Sequence, residues 1–292
     1  LTADPVDTNP VFDDASLESQ AISAIPESPF NLTAVLSGGG TSLEAQAVLD
    51  RMSALTQTEI DAITVFVNGL VIDGIWSKLD EFFCFALNQT DALTGFKAFT
   101  ATIPILGDPV YTTNGIQLGT GVNNHIDTDV RLPSVSNYQL DDSEAGVYLH
   151  TQPPWGTLNN DLFGTQTGAT SARLRMRHRG SDTNDFASSI NGTATINSPL
   201  AENALSGKLY SLKATASAAE LYFDGVLQPD AVGSQPTVPP TYAIWIGAAN
   251  QADSELNNCR GGTFTSFYVG AAIDTAQFYS RLTSFHAALG VT

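Results

Sequence analysis

The stretch from Ala219 to Thr292 constrains the fold of this chain more than any other. Ala219-Glu220-Leu221-Tyr222-Phe223 runs into Asp224-Gly225, a dipeptide suited to a two-residue hairpin turn because it tolerates positive φ at both central positions. Two further β-branched and aromatic runs follow, Tyr242-Ala243-Ile244-Trp245-Ile246-Gly247 and Phe264-Thr265-Ser266-Phe267-Tyr268-Val269-Gly270. The period then changes. Phe278, Leu282, Phe285 and Leu289 recur at helical spacing, Asp274-x-x-Gln277 makes a capping box, and Gly290 supplies a stop. Strands closed by one amphipathic helix predict a β-sandwich rather than a nucleotide-binding α/β sheet.

The same strand pattern extends back to about residue 96. Gly146-Val147-Tyr148-Leu149-His150, Ala172 to Arg177 and Lys208 to Lys213 alternate with Gly, Asn, Asp and Pro turns, which predicts an antiparallel sandwich or jelly roll. Residues 41–87 read as helical instead. Thr41-x-x-Glu44 and Thr56-x-x-Glu59 both match the capping box. Ile60, Ile63, Val67 and Leu70 or Val71 form a stripe ended by Asp73-Gly74, and Ile75, Trp76, Leu79, Phe82 and Phe83 continue as a short second helix. Residues 1–40 differ again, with Pro5, Pro10, Pro26 and Pro29, six carboxylates and no Lys or Arg. Proline density forbids a long helix there, so an extended arm that orders against a partner is expected, or else a linker.

Composition narrows the function classes. In 292 residues there are 30 acidic and 12 basic side chains, a net charge of −18, which repels phosphate backbones and excludes nucleic acid as a natural partner. Charged residues make up only 14%, so Thr, Ser, Asn and Gln must supply the polar surface. No apolar run is long enough to span a membrane. Two cysteines, Cys84 and Cys259, are too few for a disulfide framework; Cys84 lies in an apolar run and reads as a small buried hydrophobe. The chain opens at Leu1 with no signal-peptide pattern, which leaves upstream processing or truncation open.

Three features together resemble a concanavalin A-like (laminin-G-like) lectin domain of bacteriophage virion proteins. They are the helix end Asp73-Gly74-Ile75-Trp76-Ser77-Lys78-Leu79-Asp80; the segment His125-Ile126-Asp127-Thr128-Asp129-Val130 with Leu140-Asp141-Asp142 and Gly146-Val147-Tyr148; and Ile244-Trp245-Ile246-Gly247-Ala248 with the helix from Ala276 to Gly290. The resemblance covers roughly 55–292. It implies a mainly β, concanavalin A-like jelly roll, over 96–292 with its closing helix; the helical collar over 41–95 and the acidic arm over 1–40 are read from the residues themselves, and the arm has no counterpart in the resemblance. It also implies a tail-fibre, tail-tip or head-decoration subunit in an extracellular particle. Its partners would be other virion subunits, in a homo-oligomer, and host-surface carbohydrate.

Glycosidases on this sandwich carry a Glu-x-Asp-x-Glu strand, whose period-two spacing gathers the carboxyls on one face. This chain has no such triplet, and it lacks the Gly-x-Ser-x-Gly, His-Glu-x-x-His, Cys-x-x-Cys and P-loop signatures. No catalytic residue is therefore nominated, and the expectation is a protein that is not an enzyme. His286 sits near the C-terminus of the closing helix, where the dipole favours a cation. No cofactor is expected; calcium on Asp127 and Asp129, with Asp141 and Asp142 nearby, is the metal alternative to solvated turn acids.

Binding candidates remain. Arg173, Arg175, Arg177 and Arg179 are four of the twelve basic residues, and strand alternation puts them on one face. They read as an anion-facing stripe for acidic glycans or for the acidic arm of a neighbour, or as a solvated face neutralised by nearby carboxylates. Trp155 after Pro153-Pro154, Tyr138, and the polar loop from Asn250 to Asn258 are candidate sugar contacts. Asp4, Phe12, Asp13, Asp14 and Phe30 are the candidate assembly residues of the arm. Three readings stay open: a glycan-recognising virion subunit, a purely structural decoration or tail-shell subunit, and a carbohydrate-active enzyme.

Overall fold

The structure is a computed structural model that describes residues 40–102, 109–119, 124–152, 160–168, 172–178, 185–192, 196–199, 206–233, 238–256 and 262–292. Its contacts divide the chain into two units, Leu1–Gly40 and Thr41–Thr292. The arm residues Asp4, Phe12, Asp13, Asp14 and Phe30 lie outside the described residues.

The second unit is mainly antiparallel β. One sheet runs β12 (Val226–Gly233), β11 (Ala219–Phe223), β10 (Lys208–Ala214), β5 (Ser143–Thr151), β16 (Thr263–Gly270), β3 (Gly115–Gln117) and β2 (Val110–Thr112), and β1 (Leu79–Cys84) also pairs with β16. The other runs β15 (Ser254–Leu256), β14 (Ala249–Gln251), β6 (Asn160–Gln166), β7 (Arg173–His178), β8 (Asp185–Gly192) and β9 (Ile196–Pro199), with β13 (Ala243–Ile246) bridging β6 to β4 (Ile126–Arg131). The pairing of β14 with β6 is parallel. Inward side chains of both sheets share one core, which includes Val147, Leu149, Tyr210, Phe264 and Phe267 from the first sheet and Ile126, Phe163, Met176, Phe186 and Ile246 from the second. Phe163 meets Phe267 at 5.6 Å between ring centroids and Phe186 stacks on Tyr210 at 5.1 Å, so the sheets pack face to face.

Three helices, α1 (Leu43–Leu49), α2 (Gln57–Ile72) and α3 (Thr275–Ala288), cover the opposite face of the first sheet. The stripe Phe278, Leu282 and Phe285 is buried as expected, against both the sheet and α2. Phe66 of α2 stacks on Phe285 at 4.4 Å, and Tyr268 of β16 lies 4.5 Å from Phe278. Each such buried aromatic contributes about 2 to 3 kcal/mol by the area it removes from water.

Two local readings are corrected. Residues 79–84 form a strand rather than a second helix. Phe82 and Cys84 point to the helix-side cluster while Phe83 and Phe85 point into the sandwich core, so both faces are apolar and the run loses the polar alternation that marks a strand. The cap of α1 is Ser42, not Thr41: the Ser42 hydroxyl accepts from the Ala45 amide, and the Ser42 amide donates to Asn68 Oδ1 of α2. The other punctuation follows expectation. Thr56 and Glu59 form a capping box, Gly74 has φ +69°, and Asp224 and Gly225 have φ 51° and 79°, as a type I′ turn requires.

Candidate functional site

A cleft of about 450 Å³ opens where the start of α2, the loop after β1 and the β2–β3 hairpin meet. Cavities of this size hold small organic ligands. Thr56, Thr58 and Glu59 line it from α2 and Tyr111, Thr112 and Thr113 from the hairpin; Asn88 and Gln89 add amides, and Ala86, Leu87 and Leu289 add apolar surface.

Each wall is fixed by local chemistry. At the end of β1 the Phe85 amide donates to Thr265 O at 2.7 Å, and the polar run Asn88-Gln89-Thr90-Asp91 then breaks the strand. Asn88 Oδ1 accepts the amides of Thr90 and Asp91 at 3.0 and 3.1 Å, an Asx turn that leaves Gln89 exposed at its tip. Asp91 is buried, and its carboxylate accepts the Ser53 and Ala54 amides at 2.9 Å each, holding the α1–α2 loop beside this turn. Opposite, Thr112 Oγ1 donates to Gly115 O at 2.9 Å and accepts the Asn114 amide at 3.2 Å. Gly115 has φ +124°, and a Cβ there would stand 2.0 Å from Phe264 O, so only glycine allows the hairpin to lie this close to β16.

Glu59 is the electrostatic pivot. Its Oε2 accepts the Thr56 amide at 2.7 Å and the Thr56 hydroxyl at 2.8 Å, and its Oε1 accepts the Asn88 amide at 2.9 Å. Burial alone would raise this carboxyl, but the Thr56 and Asn88 donors outweigh it and hold the group below the ordinary carboxylate range. Burial also raises the Tyr111 phenol, whose ring packs partly on the sandwich core. Among the described lining residues there is no Lys, Arg or second carboxylate. The cleft therefore offers an aromatic side chain, amides and hydroxyls together with apolar lining, which suits a polyhydroxylated ligand.

None of the residues nominated from sequence lines this cleft. Trp155, Arg179 and Asn258 lie outside the described residues, as does Cys259. Tyr138 is buried and donates to Asn191 Oδ1 at 2.6 Å, so its ring is scaffold rather than a sugar platform. Asn250 is fully buried, with Nδ2 on Ala243 O and Oδ1 on the Asp253 amide, stitching the β14–β15 turn. The arginines share the outward face of β7, but Arg173 is half-buried and Arg175 is buried. Arg175 grips Asp161 of β6 with Nε at 2.7 Å and a second contact through Nη2, and Arg177 Nε reaches the same carboxylate at 3.1 Å. An anion-facing stripe is thus corrected to a buried network in which one carboxylate holds two guanidiniums.

Asp127 turns its Oδ1 to the Asp129 amide at 2.9 Å, and Asp129 sits at φ 56°. Asp142 accepts from the Ala272 amide at 3.0 Å. Among the described residues no three His, Cys, Asp or Glu side chains converge on a metal position. His286 is not a helix-end cation: it is 3% exposed, edge-on to Tyr148 at 4.7 Å, and burial with nearby His150 lowers its pKa to about 3. Cys84 is a buried free thiol pushed up to about 12 by burial. The sequence signals for the cleft were present as Asn88-Gln89-Thr90-Asp91 and Tyr111-Thr112-Thr113-Asn114, two polar breaks next to strands, but nothing local joins them.

No protein-family model matches the chain, and no curated protein matches its sequence. Solved structures do share its fold. A Trypanosoma rangeli sialidase in complex with sialic acid superposes with a TM-score of 0.52 at 14% identity, over 71% of this chain and 34% of the sialidase. The binding domain of Botulinum neurotoxin serotype D superposes at 0.51 with 8% identity, over 73% of this chain and 52% of that one. The chain thus spans about a third of the sialidase's length and half of the toxin domain's. The likeness corrects the expectation of a protein that is not an enzyme: this fold stands within sialidase structures, so missing catalytic motifs do not set it apart from catalysis.

Proposed function

We propose that the Thr41–Thr292 unit is a carbohydrate-recognition module, on a concanavalin A-like jelly roll, of a protein that displays it on a virion surface toward host glycans. The observation that carries this reading is the cleft at Tyr111. A pyranose ring offers an apolar C–H face to an aromatic ring and hydroxyls at its edge, and each hydroxyl both donates and accepts. Gln89 can answer both roles with one amide, and Thr58 and Thr113 add hydroxyls at the rim. Ala86, Leu87 and Leu289 add apolar lining that a sugar's C–H groups can cover. The fold is shared with about a third of a sialidase solved with sialic acid, which is in keeping with a carbohydrate setting for this scaffold. The virion setting rests on the resemblance of the segments at residues 73–80, 125–130 and 244–290 to phage virion lectin domains, with residues 1–40 read as the anchoring arm.

The test is a glycan array probed with the full chain and with Gln89→Ala. A restricted set of oligosaccharides should bind the parent, and the variant should weaken binding by about tenfold, equivalent to about 1.4 kcal/mol. Silence of the parent across host-surface polysaccharides, or equal binding by the variant, overturns the reading.

A further inference from the structure

We infer that the cleft between α2 and the β2–β3 hairpin selects uncharged glycans and rejects sialylated or sulfated ones. This rests on the carbohydrate reading of the same cleft and adds the class of sugar. An anionic sugar is held best by a guanidinium, an ammonium or uncompensated helix amides, because neutral donors compensate less fully for the water that the charge loses. Among the described lining residues none of the chain's basic side chains appears. The start of α2 reaches the cleft and would be the natural anion site, but that place is taken. Glu59 answers the Thr56 amide and hydroxyl, and Thr56 Oγ1 accepts the Glu59 amide at 3.3 Å in return. The positive end of the helix dipole is thus met by a carboxylate of the protein itself.

Several basic side chains elsewhere among the described residues are already engaged. Arg175 and Arg177 hold Asp161, Arg281 holds Asp73, Lys208 holds Asp224, Lys213 lies 3.3 Å from Glu144, and Lys97 Nζ donates to Trp76 O at 2.8 Å. A second negative charge entering the cleft meets Glu59 across a partly desolvated space in a chain of net charge −18. A neutral sugar meets only the ring, amides and hydroxyls. Repulsion of this kind weakens with ionic strength, because salt screens charges over about 10 Å at 0.1 M.

The experiment is an array of matched oligosaccharide pairs that differ only in one terminal sialic acid or sulfate, read with the full chain at low and high salt. The neutral member of a binding pair should bind at least about tenfold tighter, and the gap should narrow at high salt. Glu59→Gln keeps an amide oxygen for the cap and removes the charge, so it should narrow the gap as well. Equal or tighter binding of the anionic member overturns this inference and leaves carbohydrate recognition standing. A gap unchanged in Glu59→Gln also overturns it, because the repelling charge would then lie elsewhere. Binding of neither member of any pair removes the carbohydrate reading and this inference with it.

Discussion

Glu59 and Asn88, 29 positions apart in sequence, are joined by a hydrogen bond of 2.9 Å from the Asn88 amide to Glu59 Oε1. The other oxygen of the same carboxylate closes the capping box with Thr56. One side chain therefore starts a helix and fixes the turn that edges the cleft, so the cap and the site stand or fall together.

Glu59→Ala removes both functions. Loss of the cap costs about 1 kcal/mol, and an unanswered Asn88 amide adds about 1 to 2 kcal/mol. Chemical denaturation should show about 2 to 3 kcal/mol of destabilisation, and Glu59→Gln about 1 to 2 kcal/mol, because its single amide oxygen can answer Thr56 or Asn88 but not both. Equal effects of the two substitutions would mean that charge rather than hydrogen bonding is what Glu59 supplies.

Asp161 carries a heavier burden than either arginine that it holds. Asp161→Ala removes the carboxylate that pairs with two guanidiniums, one of them buried, and should destabilise by about 3 to 5 kcal/mol. Arg177→Ala leaves Arg175 in place on the carboxylate and should cost far less. Urea midpoints for the two variants check the order, and the reverse order would contradict the shared-carboxylate account.

The expected pH dependence centres on His286. Its folded pKa is lowered to about 3 from an ordinary value of 6.5, so between those values the unfolded chain takes up a proton that the folded chain refuses. Stability from this residue is complete above about pH 6.5 and falls as pH drops toward 3, by up to about 1.4 kcal/mol per unit. The unfolding free energy of His286→Phe should decline less steeply than that of the parent between pH 6.5 and 4. Parallel curves would show that acid acts through other groups.

Sequence pattern reached the strands, the closing helix and the Asp224-Gly225 turn because each is coded by neighbours within a few positions. It failed where the partner is distant. The alternation of Arg173, Arg175 and Arg177 was visible, but their counter-ion Asp161 lies 14 residues before Arg175, across a strand pair with a bulge. Tyr138 looked like a surface aromatic until Asn191, 53 positions on, took its hydroxyl. Phe82 and Phe83 looked helical because helices cover one face of their strand and a second sheet covers the other. Glu59 was legible as a cap, but its role in the cleft depends on Asn88 and Tyr111, which only the assembled sheet brings beside it.

Residues 41–292 form a contact unit of their own, so deletion of residues 1–40 should leave the thermal unfolding midpoint unchanged. If the arm anchors the subunit, the same deletion should abolish incorporation into a particle. Normal assembly of the truncated chain would remove the anchoring proposal, and loss of folding would contradict the division into two units.

The most direct measurement is calorimetric titration of the parent and of Tyr111→Leu with the neutral oligosaccharide that binds best on the array. Leucine retains apolar packing against the core but offers neither an aromatic face nor a hydroxyl. The account predicts that the substitution weakens binding at least about tenfold, or about 1.4 kcal/mol, while the unfolding midpoint stays close to that of the parent. An unchanged Kd in a folded Tyr111→Leu protein would place sugar recognition outside this cleft and contradict the central claim.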